Sequence, residues 1–188
     1  SSILPVTVQP TSLRITSLTG PTAVEQGRLV TYAYAFTAPS AALATTTFFP
    51  SCGPGSLVSQ VPGVSFSCRM PDAVGPLQIV LRLENSVGQV DLEALDVAVV
   101  PDTTAPSISV PDDIVRDSTS NAGAQVGVFV SVSDAVDVLG DVRSACSSPE
   151  GFSVFPIGVT TVTCNAEDRF GNRDTKSFTV TVLDRSVP

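Results

Sequence analysis

Histidine and tryptophan are absent from this chain of 188 residues, and lysine occurs once, at Lys176. Without histidine, the usual Ser-His and Cys-His nucleophile pairs cannot form. Two sets of carboxylates, Asp112 with Asp113 and Asp134 with Asp137, are the nominal candidates for acid and base catalysis. Adjacent strand residues point to opposite faces, and a small β-domain offers little cleft. The sequence therefore predicts that the protein is not an enzyme.

Positive charge and long apolar runs are also scarce. Lys+Arg number 10 against 18 Asp+Glu, so the net charge is −8. This balance repels phosphate backbones and anionic lipid surfaces. No segment approaches the roughly 18 apolar residues that span a bilayer. We expect neither a nucleic-acid partner nor membrane insertion.

The residues that are present indicate an all-β chain. Hydrophobic residues make up 43% of the sequence but aromatic residues only 6%, with 13 glycines and 15 prolines, which is typical of short strands joined by tight turns. The length suits two sandwich domains of about 100 residues each. Pro101 and Pro106 bracket a short, stiff segment after an alternating strand. We therefore predict domains at residues 1–101 and 102–188.

The four cysteines fall as two local pairs. Of the three connectivities, only Cys52 with Cys68 and Cys146 with Cys164 keeps each bridge inside one domain. Such short loops predict about 3 kcal/mol of stabilisation each. An even count of paired cysteines indicates an oxidising compartment, and hence an extracellular protein, either secreted or at the cell surface.

Alternating apolar residues predict the main strands. The inward faces are expected to carry Val30, Tyr32, Tyr34 and Phe36, then Leu77, Ile79, Leu81 and Leu83, and in the second half Val126, Val128, Val130 and Val132 along a single strand. A loop at residues 85–88 joins two strands as a hairpin. After it, Val90 and Leu92 share one phase while Val97 and Val99 share the other, which predicts a β-bulge near Ala94.

The second half carries a more specific pattern. It contains Pro111-Asp112-Asp113-Ile114, Cys146, the run Phe155-Pro156-Ile157-Gly158-Val159-Thr160-Thr161-Val162-Thr163-Cys164, Asp168, Gly171-Asn172 and Phe178-Thr179-Val180-Thr181-Val182. Residues of about 102–184 with this pattern resemble the hyalin repeat, or HYR domain. The resemblance implies an immunoglobulin-like sandwich of the kind found in tandem in extracellular, adhesive or matrix proteins.

The first half resembles PKD-like and other bacterial immunoglobulin-like domains over residues of about 10–100. That likeness rests on Phe66-Ser67-Cys68, Gly75, the strand at residues 77–83 and the loop at residues 85–88. The predicted fold class is therefore two tandem immunoglobulin-like β-sandwiches, each with one internal disulfide.

The leading functional prediction is a non-catalytic, rod-like structural or adhesive segment of a tandem-repeat cell-surface or secreted protein. Its partners would be proteins, either neighbouring modules or identical subunits. One alternative is a filament or pilus subunit that donates the terminal strand at residues 1–8, with Leu4, Val6 and Val8 as its apolar side chains. The other alternative is a glycan- or calcium-dependent binding module.

Calcium is the cation that the acidic residues would suit, although no cofactor is required by the leading prediction. Carboxylate oxygens gathered on loops bind hard cations, and Asp102, Asp134, Asp137 and Asp168 are the candidate ligands. No continuous calcium-loop motif is present. The competing interpretation is a set of acidic turns that keep the module soluble.

Consecutive aromatic residues mark a candidate interface. Phe48 and Phe49 must face opposite sides of a strand, so one of them is expected to be exposed or covered by a partner. Tyr32, Tyr34 and Phe36 would form a glycan-stacking platform if exposed, but their spacing favours the core.

Overall fold

The computed structural model describes residues 12–39, 45–136, 141–148 and 150–184. These residues form sixteen β-strands and no α-helix, which confirms the all-β prediction. Nothing among them is a helix long and apolar enough to cross a membrane. The chain divides into two compact units, Ser1–Pro101 and Asp102–Pro188.

The first unit is a sandwich of two four-stranded sheets. Its strands are β1 (Arg14–Thr19), β2 (Ala23–Glu25), β3 (Leu29–Thr37), β4 (Thr47–Ser51), β5 (Ser56–Val61), β6 (Ser65–Arg69), β7 (Gly75–Glu84) and β8 (Val90–Val100). The sheet orders are β1-β3-β6-β5 and β2-β8-β7-β4. If β2 is counted as a continuation of β1 that crosses to the second sheet, this is the strand order of an immunoglobulin-like domain.

The core of the first unit lies between the inward faces of these sheets. As predicted, Tyr32 and Tyr34 are buried, and their rings lie 5.8 Å and 6.1 Å from the ring of Phe66 between centroids. Ile79 and Leu81 are fully buried opposite them in the second sheet. Burial of each such side chain contributes about 1.5–3 kcal/mol. The tyrosines belong to the core and do not form an exposed glycan platform.

The second unit repeats this plan with the same number of strands. Its strands are β9 (Ser107–Ser109), β10 (Ile114–Asp117), β11 (Ala124–Val128), β12 (Ser131–Ser133), β13 (Arg143–Cys146), β14 (Gly151–Phe155), β15 (Gly158–Glu167) and β16 (Arg173–Leu183). One sheet has the order β10-β16-β15-β13, and the strand pairs β11-β14 and β12-β9 form the other side. The core between them contains Val128, Val162, Val180 and Val182. Both units are therefore immunoglobulin-like sandwiches.

Two details of the predicted strands are wrong. The pairing of β7 with β8 is continuous from Gly75–Val99 to Glu84–Val90, so there is no bulge near Ala94. Val90 and Leu92 keep their phase and face outward. The strand predicted through residues 126–132 is divided into β11 and β12, which pair with different partners because the chain leaves the ladder at Phe129.

Candidate functional site

A buried asparagine closes the hairpin between β7 and β8. The Asn85 turn, residues 85–89, has Asn85 only 4% exposed. Its Oδ1 accepts hydrogen bonds from the backbone N–H groups of Val87 at 3.2 Å and Gln89 at 3.0 Å. Its Nδ2 donates to Gln89 Oε1 at 2.9 Å, and that oxygen also accepts from the backbone N–H of Leu13 at 3.3 Å. The turn is thereby tied to the segment that enters β1.

A buried aspartate occupies the same place between β15 and β16. The Asp168 turn, residues 168–172, has Asp168 only 5% exposed. Asp168 Oδ1 accepts from the backbone N–H groups of Phe170 at 2.8 Å and Asn172 at 2.9 Å. Asn172 Nδ2 donates to Asp168 Oδ2 at 2.7 Å and to the backbone carbonyl of Asp102 at 3.2 Å. Here too the turn holds the segment that enters its unit.

An aspartate that lies two residues after each turn extends the correspondence between the two units. Asp91 Oδ2 accepts from the backbone N–H of Ile15, and Asp174 Oδ2 accepts from that of Ile108 at 3.3 Å. Of Asn85, Asp91, Asp168 and Asp174, only Asp168 was selected from the sequence as a candidate site residue. The signal was present, because Glu84-Asn85-Ser86-Val87-Gly88-Gln89-Val90-Asp91 and Glu167-Asp168-Arg169-Phe170-Gly171-Asn172-Arg173-Asp174 share one pattern.

The other predicted calcium ligands also serve turns. Asp102 Oδ1 accepts from the backbone N–H of Thr104 at 3.0 Å, and Asp134 Oδ1 accepts from that of Val136 at 2.7 Å. Asp137 lies outside the described residues. Within the described ranges, no three acidic or cysteine side chains gather closely enough to hold a metal ion. The calcium site stays a prediction.

The two disulfides occupy different places in their sandwiches. Cys52 follows β4 and Cys68 lies in β6, so this bridge crosses from one sheet to the other with a Cα–Cα distance of 5.7 Å. Cys146 and Cys164 are directly opposed residues of the neighbouring strands β13 and β15, with a Cα–Cα distance of 4.0 Å. The first bridge holds two sheets together, and the second reinforces a ladder that is already hydrogen-bonded.

The two neighbouring phenylalanines of β4 face opposite sides, as predicted. Phe48 packs against the core, 5.7 Å from Tyr34 and 5.3 Å from Phe36 between ring centroids. Phe49 is 46% exposed, with the guanidinium carbon of Arg82 5.2 Å above its ring. Of the pair, Phe49 is the accessible side chain. The other predicted interface residues, Leu4, Val6 and Val8, lie outside the described residues.

The carboxylate of Asp113, the residue before β10, holds the start of this strand against β16. Asp113 Oδ1 accepts a hydrogen bond from the backbone N–H of Thr179 at 2.7 Å. This bond lowers the pKa of Asp113 because it favours the charged carboxylate. Burial instead raises the pKa of Tyr34, although its hydroxyl oxygen accepts a hydrogen bond from the N–H of Gly63 at 2.7 Å.

Two surface grooves of about 310 and 500 Å³ adjoin the Asp168 turn. Arg143 and Glu167 line both of them. Glu167 pairs with Arg173 at 3.0 Å, and side chains of both charges line the grooves.

Comparison with known proteins places the second unit in a family. The family model of the HYR domain matches residues 101–182. The second unit is a HYR domain. Hyalin of Lytechinus variegatus is 32% identical over 83 residues, which are 44% of this chain and 16% of that relative. The chain therefore spans about a sixth of the length of hyalin. For the first unit, the PKD-like resemblance stays a prediction.

Solved structures resemble the chain at low identity. The fibronectin(III)-like modules of Clostridium thermocellum CbhA align over 92% of this chain and 94% of theirs, with 15% identity and a TM-score of 0.35. The titin domains z1z2, solved in complex with telethonin, align over 95% and 100%, with 13% identity and a TM-score of 0.36. The assignment of the immunoglobulin-like fold rests on the strand order given above.

Proposed function

We propose that this chain is a non-catalytic, adhesion-type segment of an extracellular protein, and that its two units carry mechanical load between neighbouring protein segments. The observation that carries this proposal is the way an early strand of each unit is joined to the last strand. In both units, an early strand runs parallel to the last strand, β2 beside β8 and β10 beside β16.

Parallel pairing of this kind resists force. When the two ends of a unit are pulled apart, the hydrogen bonds between its early and last strands lie across the direction of pull. They are therefore loaded together and do not open one after another. The Asn85 and Asp168 turns add further bonds to the entering segments. The β10-β16 ladder has four residue pairs and the β2-β8 ladder has three, so we expect the HYR domain to resist the higher force.

The disulfides limit how far each unit can extend. Residues between two bridged cysteines do not lengthen under force while the bridge is intact. The bridges enclose sequence separations of 16 and 18 residues. At about 3.5 Å per extended residue, reduction should therefore add about 56 Å and about 63 Å to the unfolded lengths.

Single-molecule force spectroscopy on the full chain tests this function. The expected record shows two separate unfolding peaks, which lengthen by these amounts after treatment with a thiol reductant. A Cys146→Ala/Cys164→Ala variant is the matched control, because only one of its peaks should lengthen on reduction. Unfolding of both units without a measurable force peak would show that the chain is not a load-bearing segment.

The HYR match also supports an extracellular location and protein partners. Strand donation by residues 1–8, glycan binding and calcium binding remain predictions.

A further inference from the structure

An apolar surface covers the outer side of the sheet β2-β8-β7-β4. We define the Leu92 face as the outward side chains of three cross-strand rows, which are Thr47–Glu84–Val90, Phe49–Arg82–Leu92 and Ser51–Val80–Ala94. Leu92 is 57% exposed and Val90 50% exposed, and Phe49 lies in the same row as Leu92. Arg82 lies between Phe49 and Leu92 in that row, and Val80 and Ala94 of the next row connect these two apolar side chains.

The corresponding face of the HYR domain is mainly polar. The outward side chains of β15 and β16 are mostly hydroxyl-bearing, namely Thr161, Thr163, Thr175, Ser177, Thr179 and Thr181. The exposed apolar residues Val115 and Val159 lie on either side of Thr181, which separates them. An antiparallel sheet with one solvated face normally carries polar residues on that face. Most of this HYR face follows the rule, and the Leu92 face departs from it. A contiguous apolar face of this kind marks an interaction surface.

We propose that the Leu92 face binds the same face of a second copy of this chain. The reason is the arrangement of its charges. Arg82 and Glu84 lie in adjacent rows of the same strand, and their side chains form an ion pair at 2.6 Å. A two-fold axis that runs between these two rows places Arg82 of each copy opposite Glu84 of the other. The same rotation places Leu92 of each copy over Val90 of the other.

The size of the whole sheet that carries the Leu92 face sets an upper limit on the contact area and predicts a weak contact. Strands β4, β7, β8 and β2 have five, ten, eleven and three residues. At about 3.4 Å along and about 4.8 Å across each strand, they form about 470 Å² of flat sheet. Standard interfaces bury about 800 Å² per partner, so this one belongs with transient contacts. Because it names the partner, the inference rests on the proposed adhesive function. Many weak contacts in an array would then act together.

Sedimentation equilibrium of the full chain tests the proposal. We expect the weight-average mass to rise towards twice the monomer mass between about 10 µM and about 1 mM. Leu92→Lys should keep the chain monomeric over this range. Val159→Lys is the matched control, because Val159 is 69% exposed on the outer face of the HYR domain and should leave the dimer unchanged.

Charge exchange tests the geometry of the contact. Arg82→Glu and Glu84→Arg alone place like charges opposite each other, and each should weaken the dimer by at least about tenfold. The double variant R82E/E84R restores opposite charges and should return the affinity to within about threefold of the original. Far-UV circular dichroism verifies the fold of each variant, and if Leu92→Lys does not fold, the charge variants decide.

Three results would each overturn the inference: a monomer at every concentration, a dimer that persists in Leu92→Lys, or a double variant no tighter than the single ones. None of them would alter the unfolding forces of single molecules, so failure of this inference is distinguishable from failure of the proposed function.

Discussion

The Asn85 turn and the Asp168 turn share a backbone conformation but have opposite hydrogen-bond polarity. In the first unit, the entering segment presents a donor, the N–H of Leu13. Gln89 therefore turns its carbonyl oxygen towards that segment, and Asn85 Nδ2 supplies a second donor to the same oxygen. An aspartate at position 85 would place an acceptor against an acceptor.

In the HYR domain, the entering segment presents an acceptor, the backbone carbonyl of Asp102. Asn172 therefore turns its Nδ2 towards that carbonyl and also donates to Asp168. A carboxylate suits this position because it only accepts hydrogen bonds. The comparison teaches that the choice between asparagine and aspartate depends on a distant backbone group. Asp168 needs no metal to explain its charge.

Loss of a disulfide should have the largest effect on the free energy of unfolding. Both loops are similar in length, so removing either bridge by double Cys→Ala exchange should cost about 3 kcal/mol in loop entropy. The variant at Cys52 and Cys68 should lose about 1 kcal/mol more, because both cysteines are buried between the sheets. Urea titration of each variant measures the loss, and an equal or larger loss for Cys146 and Cys164 would contradict the role assigned to the inter-sheet bridge.

Exchange of one hydrogen-bonding group in each turn should have the next largest effect on stability. Asn85→Asp replaces a donor by an acceptor, and Asp168→Asn replaces an acceptor by a donor. Asn85→Asp and Asp168→Asn each oppose like groups in a buried network, so each should lower the free energy of unfolding by about 1–2 kcal/mol. The exposed change Asp96→Asn is the matched control, with an effect below about 0.5 kcal/mol.

The same variants test the calcium prediction. If Asp168 serves only the turn, the loss caused by Asp168→Asn is equal with calcium and with a chelator. A loss that appears only with calcium, measured by thermal melting, would assign this carboxylate a ligand role.

The pairing of β3 with β6 in the first unit differs from the pairing of β11 with β14 in the HYR domain. In the first unit, Thr31 faces Ser67 with their hydroxyl oxygens 2.8 Å apart. In the HYR domain, Phe152 faces Gly127, and its ring lies 5.8 Å from the ring of Phe129 between centroids.

A Cβ added at Gly127 would lie 2.9 Å from Phe129 and 3.1 Å from Phe152. Gly127→Ala should therefore be less favourable in the original chain than in a Phe152→Ala background, with a coupling of about 0.5–1 kcal/mol in a double-mutant cycle. Strictly additive effects of the two substitutions would show that the position of the Phe152 ring does not depend on glycine at position 127.

Acid should affect the HYR domain more than the first unit, and this is the smallest effect expected. Where Ala98 donates its N–H to the backbone carbonyl of Thr22, Thr179 donates to the carboxylate of Asp113. The pKa of Asp113 is lowered in the folded state. Its contribution is therefore present above the ordinary aspartate pKa and is lost as the pH falls through the lowered value. In calorimetry, the stability of the Asp113→Asn variant should depend less on acid than that of the original chain. An unchanged dependence would show that Asp113 does not contribute to the acid sensitivity.

Most of the fold was predictable because strand alternation is local. Tyr32, Tyr34, Ile79 and Leu81 are buried as their spacing indicates. The predicted bulge near Ala94 was wrong because every apolar residue was assumed to face the core. Leu92 faces outward without any change of register. Periodicity reports which residues share a face, and it does not report what that face contacts.

The candidate site was predictable only in part. Asp168 was selected for its charge, whereas its neutral counterpart Asn85 was assigned only to the hairpin loop and not to a candidate site. Recognition of the repeated Glu-Asx-x-x-Gly pattern would have found both, because the pattern reflects one turn geometry. The choice of Phe49 over Phe48 as the accessible residue required the structure, since alternation alone does not say which side of β4 is buried.

By itself, the sequence determined the all-β class, the HYR resemblance, the main inward faces and the likeness of the two hairpin turns, because alternation and turn residues act over a few positions. Only the tertiary structure decided the polarity of each turn, the strands that each disulfide joins and the outward direction of Leu92. The physical reason is the distance along the chain. Leu13 and Asp102 meet their turns across 76 and 70 residues, and no local pattern records whether such a partner offers a donor or an acceptor.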